Sequence, residues 1–274
     1  MVLGIDELLQ ASGCDLWLDT QLIDAETAGD RVTAVRVANK SGIGRLEAAV
    51  FVDASGDADV AFFAGADCPV AANALASWTL EYSKQESGAV LAPGIRASIV
   101  GGSTDPDFTE PGVSGRMVSD FVMAGRERDR RRRAEAYAAG AADRFGRFPL
   151  KLPAMPDLRH TRRIDGAFTL QPGMEWRTFE DSVGVCADWR CCGKVWELPY
   201  RSLLPKTLSN VLAAGRCISS EGDAWEVTRV IPVAALTGEA AGTAAALAAE
   251  RRMTAAELPY ADVQQAMRKA GNPT

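Results

Sequence analysis

Apolar and polar residues in the first 65 positions follow the pattern of an α/β chain. Residues 3–11 carry leucines at helical spacing and stop at Gly13, which predicts the end of an amphipathic helix. Residues 14–42 alternate around a turn at Ala28-Gly29-Asp30, which predicts paired strands. Residues 45–53 finish in a short apolar strand of the kind buried in a parallel sheet. This order of elements predicts an α/β fold.

The pattern changes between residues 66 and 200, where glycines and prolines interrupt it. One long charged helix is predicted over 115–143. Pro149, Pro153 and Pro156 predict a rigid, extended connector after that helix. Residues 160–170, HTRRIDGAFTL, then alternate in a way that predicts a strand.

The last part of the chain returns to the α/β pattern, with a strand predicted at 210–214 and an Ala/Gly-rich helix from about 230 to 250. The predicted organisation is a split nucleotide-binding domain with an inserted α+β substrate domain. The four predicted segments are a first domain portion, the insert, the returning domain portion and a C-terminal tail helix: 1–65, 66–200, 201–250 and 251–274.

Composition and charge exclude some function classes. Apolar residues make up 47% and charged residues 24% of the 274 residues, as in ordinary soluble domains. The net charge of −6 disfavours a nucleic-acid binder. The arginine-rich run in the 115–143 helix is interleaved with carboxylates and is typical of a solvated face. The most apolar segment, 233–249, is interrupted by polar residues, so we expect a cytoplasmic protein with no membrane span.

The six cysteines show no regular framework, so no disulfide scaffold is expected. Cys186, Cys191 and Cys192 have the spacing C-x4-C-C, without a matching second pair. With one histidine in the chain, we expect no zinc or other metal site.

Two predicted strands end in small residues and glycine. The first runs into Asp53-Ala54-Ser55-Gly56-Asp57, and the second into Gly215-Arg216. Glycine lets backbone approach a ligand closely, and ligands of open α/β sheets bind beyond the carboxyl ends of the strands. Val230-Ile231-Pro232 marks a helix start, whose free N–H groups favour negative charge. The alternative for these segments is an ordinary strand-end turn and a small-residue helix packed in a core.

Six segments carry a family resemblance in their order along the chain: VFVDASGDADVA (50–61), RHTRRIDGAFTL (159–170), DSVGVCADWR (181–190), LPYRSLLPK (198–206), NVLAAGRCIS (210–219) and RVIPVAALTGEAAGTAAALA (229–248). This order resembles the FAD-dependent oxidoreductases, relatives of the glutathione-reductase-like flavoproteins, over about residues 3–250.

The resemblance implies a Rossmann-like FAD/NAD(P)-binding domain, noncovalent FAD and flavin-mediated hydride transfer. It implies that these residues contact FAD: Ser55, Gly56, Asp57, Gly215, Arg216, Val230, Ile231 and Gly242. Gly215-Arg216 departs from the Gly-Asp of many such flavoproteins, which leaves their ribityl-binding carboxylate unmatched here.

The family's first nucleotide-binding lobe has no counterpart in the sequence, which contains no G-x-G-x-x-G turn after a strand. We therefore expect an N-terminally truncated chain, a second polypeptide that supplies the lobe, or a lost function. The alternative to an enzyme is a non-catalytic interaction subunit or degenerate fragment that binds no FAD alone.

Candidate substrate chemistry lies in the cationic segment Arg159, His160, Arg162 and Arg163. Arginines bind carboxylates through paired hydrogen bonds, and His160 is the side chain that titrates near neutrality. We predict that Arg162 and Arg163 bind a small, anionic substrate and that His160 is the acid or base. The alternative is that these arginines form surface ion pairs.

Overall fold

The N-terminal part of the chain is a helix followed by an antiparallel meander. The computed structural model describes residues 2–71, 73–74, 77–84, 90–92, 94–101, 109–110, 112–152 and 158–274. Helix α1 and strands β1, β2 and β3 span Val2–Ser12, Gln21–Ala28, Arg31–Asn39 and Gly42–Glu47. The strands pair in the order β1-β2-β3 around the predicted turn, where Gly29 has φ 62°. In β2, Val32 and Ala34 lie on one face and Val35 and Val37 on the other, and all four are buried, so both faces of this strand pack against other residues.

A parallel strand pair lies beneath this meander. Strand β4, Phe51–Asp53, pairs in parallel with a strand over Val211–Ala213 that is the thirteenth along the chain, β13. The prediction of a parallel strand is confirmed. This strand is less buried than expected, since Phe51 is half-buried, Val52 is exposed and Asp53 is buried, and residues 45–53 do not form one strand. They divide because residues up to 47 pair antiparallel with β2, whereas 51–53 pair with β13.

The middle of the chain forms a second, antiparallel sheet. Strands β5 to β10 span Asn73–Ala74, Ser77–Ser83, Val90–Ala92, Ile95–Gly101, Thr109–Glu110 and Arg147–Lys151. Four of them pair in the order β10-β6-β8-β7, while β5 pairs with β9. Helix α3, Gly115–Ala138, packs against β6 and β8. It ends before the predicted residue 143, and Gly140 follows with φ 67°.

Two predictions for this region are corrected. Pro149 lies in β10, paired with Glu81, and so belongs to a strand rather than a connector; Pro153 and Pro156 lie outside the described residues. Residues 160–170 form isolated bridges instead of a regular strand within the described part of the chain. The physical reason is that successive backbone groups bond to different segments, since Arg163 N donates to Pro69 O and Ile164 N to Cys217 O.

The remaining elements complete the core. Strands β11 and β12 span Ser182–Ala187 and Val195–Pro199. Helices α2, α4, α5 and α6 span Asp59–Phe63, Gly222–Thr228, Ile231–Arg251 and Tyr260–Lys269. One hydrophobic cluster joins β2, β11, β12, β13, α5 and α6. The domain boundaries at 65 and 200 remain predictions; residues from Ile164 to Leu204 contribute to the same cluster as β13.

Helix α5 buries one face of small residues in this cluster, including Ala240, Ala241 and Ala244. By length and composition it is the helix, among the described residues, that could cross a membrane. The same test is passed by core helices of soluble proteins.

Candidate functional site

The turn after β4 is organised by a buried carboxylate. Asp53 is fully buried, and its side chain accepts hydrogen bonds from Ser55 Oγ at 2.7 Å and Ala61 N at 3.1 Å. Ser55 Oγ in turn accepts from Asp59 N at 2.9 Å. Gly56 has φ 80°, a conformation that favours glycine. Hydrogen bonds to the buried Asp53 carboxylate therefore fix the turn, and Ser55 is exposed just after the strand.

The turn after β13 is joined to the first turn by an ion pair. Gly215 has φ 75°, and its N–H donates to Thr237 Oγ1 of α5 at 2.9 Å. Arg216 Nη2 lies 2.6 Å from Asp57 Oδ1. A Cβ on Gly56 would lie 2.9 Å from Cζ of Arg216, so the guanidinium would have to shift, and the positive φ of Gly56 disfavours a side chain as well. The predicted cofactor residues Gly56, Asp57, Gly215 and Arg216 are thus brought together at one edge of the strand pair.

The start of α5 lies beside this edge. Val230 precedes the helix in an extended conformation, and no side chain of the described residues caps the helix. Ile231 is 65% exposed and Pro232 follows it in the first turn. Free N–H groups at a helix start favour a negatively charged ligand. Gly242 lies on the exposed side of α5, away from the helix start.

Arg162 and Arg163 point to different carboxylates. Arg162 lies 2.5 Å from Asp59, and its guanidinium is 3.9 Å from the centroid of the Phe62 ring. Burial raises the pKa of Asp59, with Arg162 opposing that effect. Arg163 binds Glu221 at 3.0 Å on the other side. The substrate-binding role of both arginines remains a prediction, while their observed contacts join residues 160–163 to the turn after β4 and to residues 219–221.

His160 lies in a cluster that the sequence reasoning did not assemble. Its ring centroid is 4.7 Å from that of Trp225, and its Nε2 is 3.4 Å from Glu226 Oε1. Burial lowers the pKa of His160, Glu226 opposes this, and Arg229 and Arg159 add to the lowering. Trp225 and Glu226 are neighbours in α4. They lie between the predicted cofactor segments Gly215-Arg216 and Val230-Ile231, and this position was the feature of the sequence that could have pointed to them.

This cluster is linked to the predicted cofactor edge. The Trp225 indole Nε1 donates to the backbone oxygen of Arg216 at 2.6 Å. Thr161 Oγ1, next to His160, donates to Asp57 Oδ1. His160 is therefore connected to both strand-end turns, through Trp225 to Arg216 and through the neighbouring Thr161 to Asp57. Within the described residues, no group of three or more His, Cys, Asp and Glu side chains could hold a metal ion.

Comparisons with known proteins give a family match. The model of a family described as FAD dependent oxidoreductase matches residues 2–77 and 117–267. A solved structure described as "Structural and Functional Studies of BexE: Insights into Oxidation During BE-7585A Biosynthesis" is 15% identical to the chain, with a TM-score of 0.43. The match covers 91% of this chain and 42% of that chain, so this chain spans less than half of that length. No curated protein matches the chain.

Proposed function

The chain belongs to the FAD-dependent oxidoreductase family, and from this premise we propose that it forms part of an enzyme that moves a hydride between FAD and a small substrate. FAD is the cofactor that the family implies. One observation supports the location of the site: β4 and β13 end side by side in turns with Gly56 and Gly215 at positive φ, next to the start of α5. Ligands of α/β folds bind at such an edge.

The residues at this edge fit a flavin. The space around a Cβ built on Gly215 is open except for Ala234 Cβ of α5 at an ordinary 3.7 Å, so a ligand could approach the turn there. The N–H groups at the start of α5 have no side-chain cap among the described residues. These N–H groups would stabilise the negative charge of a flavin bound near Val230 and Ile231. Ser55 and Arg216 supply a hydroxyl and a cation at the same edge.

Each part of the site has a separate proposed task. Bound FAD supplies the two-electron chemistry, while the protein supplies binding, orientation and electrostatics. Arg216, fixed by Asp57, contributes positive charge at the strand ends. His160 exchanges a proton with the substrate, and Arg162 and Arg163 hold its segment against their carboxylate partners. An anionic substrate group would also be attracted by this cationic segment.

The pyrophosphate-binding turn implied by the family resemblance is absent from these 274 residues. We propose that a segment outside these 274 residues, on the same or a second polypeptide, supplies it. The described site would then bind the flavin half of FAD, since its residues gather at the strand ends and the start of α5. The adenine half would depend on that segment, because these residues contain no glycine-rich turn.

Ligand titrations test this division. The purified chain is titrated with FAD, FMN and ADP, with flavin fluorescence and calorimetry as the measurements. We expect weak binding of FAD and FMN with similar Kd values, and no competition by ADP. If ADP displaces FAD, the chain carries a nucleotide site of its own. If neither flavin binds at ~1 mM, corresponding to about 4 kcal/mol, the non-catalytic subunit is favoured.

A pair of glycine variants tests the location of the site. Gly215→Val places a branched side chain at positive φ in the proposed site and is expected to weaken FMN binding at least about tenfold, or ~1.4 kcal/mol. Gly29→Val makes the same change at φ 62° in the β1–β2 turn and serves as the matched control. Thermal unfolding of both variants verifies folding. Equal FMN affinity in the two variants would place the flavin elsewhere.

A further inference from the structure

The carboxylate of Glu226 is shared between a cation and the single histidine of the chain. Arg229 directs both Nε, at 2.8 Å, and Nη2 to Oε2 of Glu226. The other oxygen, Oε1, faces His160 Nε2 at 3.4 Å. The side chains of His160 and Arg229 are 15% and 13% exposed, so both are largely removed from water. The two oxygens of Glu226 therefore serve two different partners.

The imidazole of His160 has little freedom in this arrangement. Its ring lies against Trp225 with an interplanar angle of 43°, and the Trp225 indole is fixed by its hydrogen bond to Arg216. The backbone oxygen of Glu226 also accepts a hydrogen bond from the Trp189 indole at 3.0 Å. Glu226 is thus held at its main chain by Trp189 and at its carboxylate by Arg229.

We infer that Glu226 is the positioning residue of His160: its carboxylate orients the imidazole and stabilises the protonated form. Arg229 holds that carboxylate in place, while its own positive charge partly offsets the stabilisation. This inference rests on the proposed function, in which His160 exchanges a proton with the substrate. A carboxylate that faces one ring nitrogen orients the imidazole and stabilises the imidazolium that forms when the ring accepts a proton. The proton moves between substrate and imidazole, and Glu226 stays ionised.

The charges around His160 give opposite signs for two substitutions. Glu226 raises the pKa of His160, whereas Arg229 and the exposed Arg159 of its own segment lower it, in addition to the lowering by burial. Replacing Glu226 by Gln should move the titration midpoint to lower pH. Replacing Arg229 by Met should move it to higher pH. Both substitutions break the same ion pair, so a purely structural disturbance would not produce shifts of opposite sign.

The experiment uses the fact that the chain has one histidine. In protein labelled with 13C-histidine, the single imidazole Hε1–Cε1 signal is followed by NMR against pH. The wild-type chain is compared with Glu226→Gln, Arg229→Met and the control Glu250→Gln, which changes an exposed carboxylate of α5. We expect the imidazole midpoint to be lower than that of wild type in Glu226→Gln, higher in Arg229→Met and unchanged in Glu250→Gln. Circular dichroism melting verifies that each variant is folded, and Glu226→Asp should restore part of the shift.

A second measurement connects the pair to the flavin. FMN is added to the wild-type chain at saturating concentration, and the imidazole signal is recorded again. A change in its chemical shift and midpoint supports a place for His160 at the cofactor site. Equal midpoints in wild type and Glu226→Gln would overturn the positioning role, whatever FMN does.

The remaining outcomes separate the two proposals. An imidazole unaffected by bound FMN would leave the pair as a structural contact and overturn the proton-exchange role. If FMN does not bind at all, the proposed function fails and the proton-exchange role fails with it. The opposite shifts of the two variants would still show the electrostatic coupling between Glu226 and His160.

Discussion

Arg162 gives the sharpest test of how the fold holds residues 160–163 in place. Its Nη2 lies 2.5 Å from Asp59, its Nε donates to the backbone oxygen of Asp57 at 3.1 Å, and its guanidinium lies over Phe62. The Arg162 side chain is 11% exposed and that of Asp59 is 29% exposed. These contacts join the segment to the turn after β4, so their loss should reduce the stability of the whole core.

The magnitude follows from these three contacts. A hydrogen bond to a charged group contributes about 1.5–3 kcal/mol and a cation–π contact about 0.5–2 kcal/mol. The contributions are not additive, and water can reach the Asp59 carboxylate after the arginine is removed. We expect Arg162→Ala to lower the free energy of unfolding by about 2–4 kcal/mol. Arg162→Lys, which keeps the charge without the planar group, should lie between the variant and wild type.

Urea unfolding followed by circular dichroism measures this change, with Arg159→Ala as the matched control because Arg159 is exposed in the same segment. Burial raises the pKa of Asp59 and Arg162 opposes it, so the folded-state pKa of Asp59 should be higher still in Arg162→Ala. The part of the destabilisation that comes from this pKa difference is absent at pH values below the Asp59 pKa of both folded proteins. It is complete at pH values above the Asp59 pKa of Arg162→Ala. A loss below ~0.5 kcal/mol, or equal to that of the control, would refute the reasoning.

Three further outcomes are expected. Asn210 is buried and its side chain bonds both backbone groups of Val32, so Asn210→Ala should cost about 2–4 kcal/mol in urea unfolding, and a change within ~0.5 kcal/mol would contradict this. Burial opposes the lowering of the Glu81 pKa, but hydrogen bonds from a serine and an arginine lower it overall. The stabilisation that the Glu81 carboxylate contributes is therefore present above its unfolded pKa and lost as pH falls. In Glu81→Gln, the urea midpoint should consequently change less with pH between about pH 5 and 3 than it does in the wild type. Burial raises the pKa of the Cys217 thiol to about 12, so a thiol reagent should label exposed Cys191 in the native protein and Cys217 only after unfolding, as mass spectrometry would show.

The sequence by itself determined the elements whose cause is local. Apolar and polar residues alternate in two short runs, Val32–Ala34 and Val35–Val37, and this alternation predicted β2, because strand side chains point to alternate faces. The Ala/Gly-rich stretch predicted α5 close to its observed bounds, Ile231–Arg251. The strand-end glycines were predictable because a chain that leaves a buried strand in a sharp turn requires positive φ. The family itself could be inferred from the order of these segments, and the family match confirms it.

The tertiary structure alone decided what residues 160–170 do. Their alternation predicted a strand, yet they have no single partner strand, because their backbone groups bond in turn to residues 67–71, 201–206 and 217–221. The carboxylate that binds Arg163 belongs to Glu221, 58 positions along the chain. Glu226, which faces His160, lies 66 positions further along the chain. Periodicity depends on neighbours within a few residues and can be read from a short window, whereas the partner of a charge depends on which distant segments the folded core brings within a few ångströms.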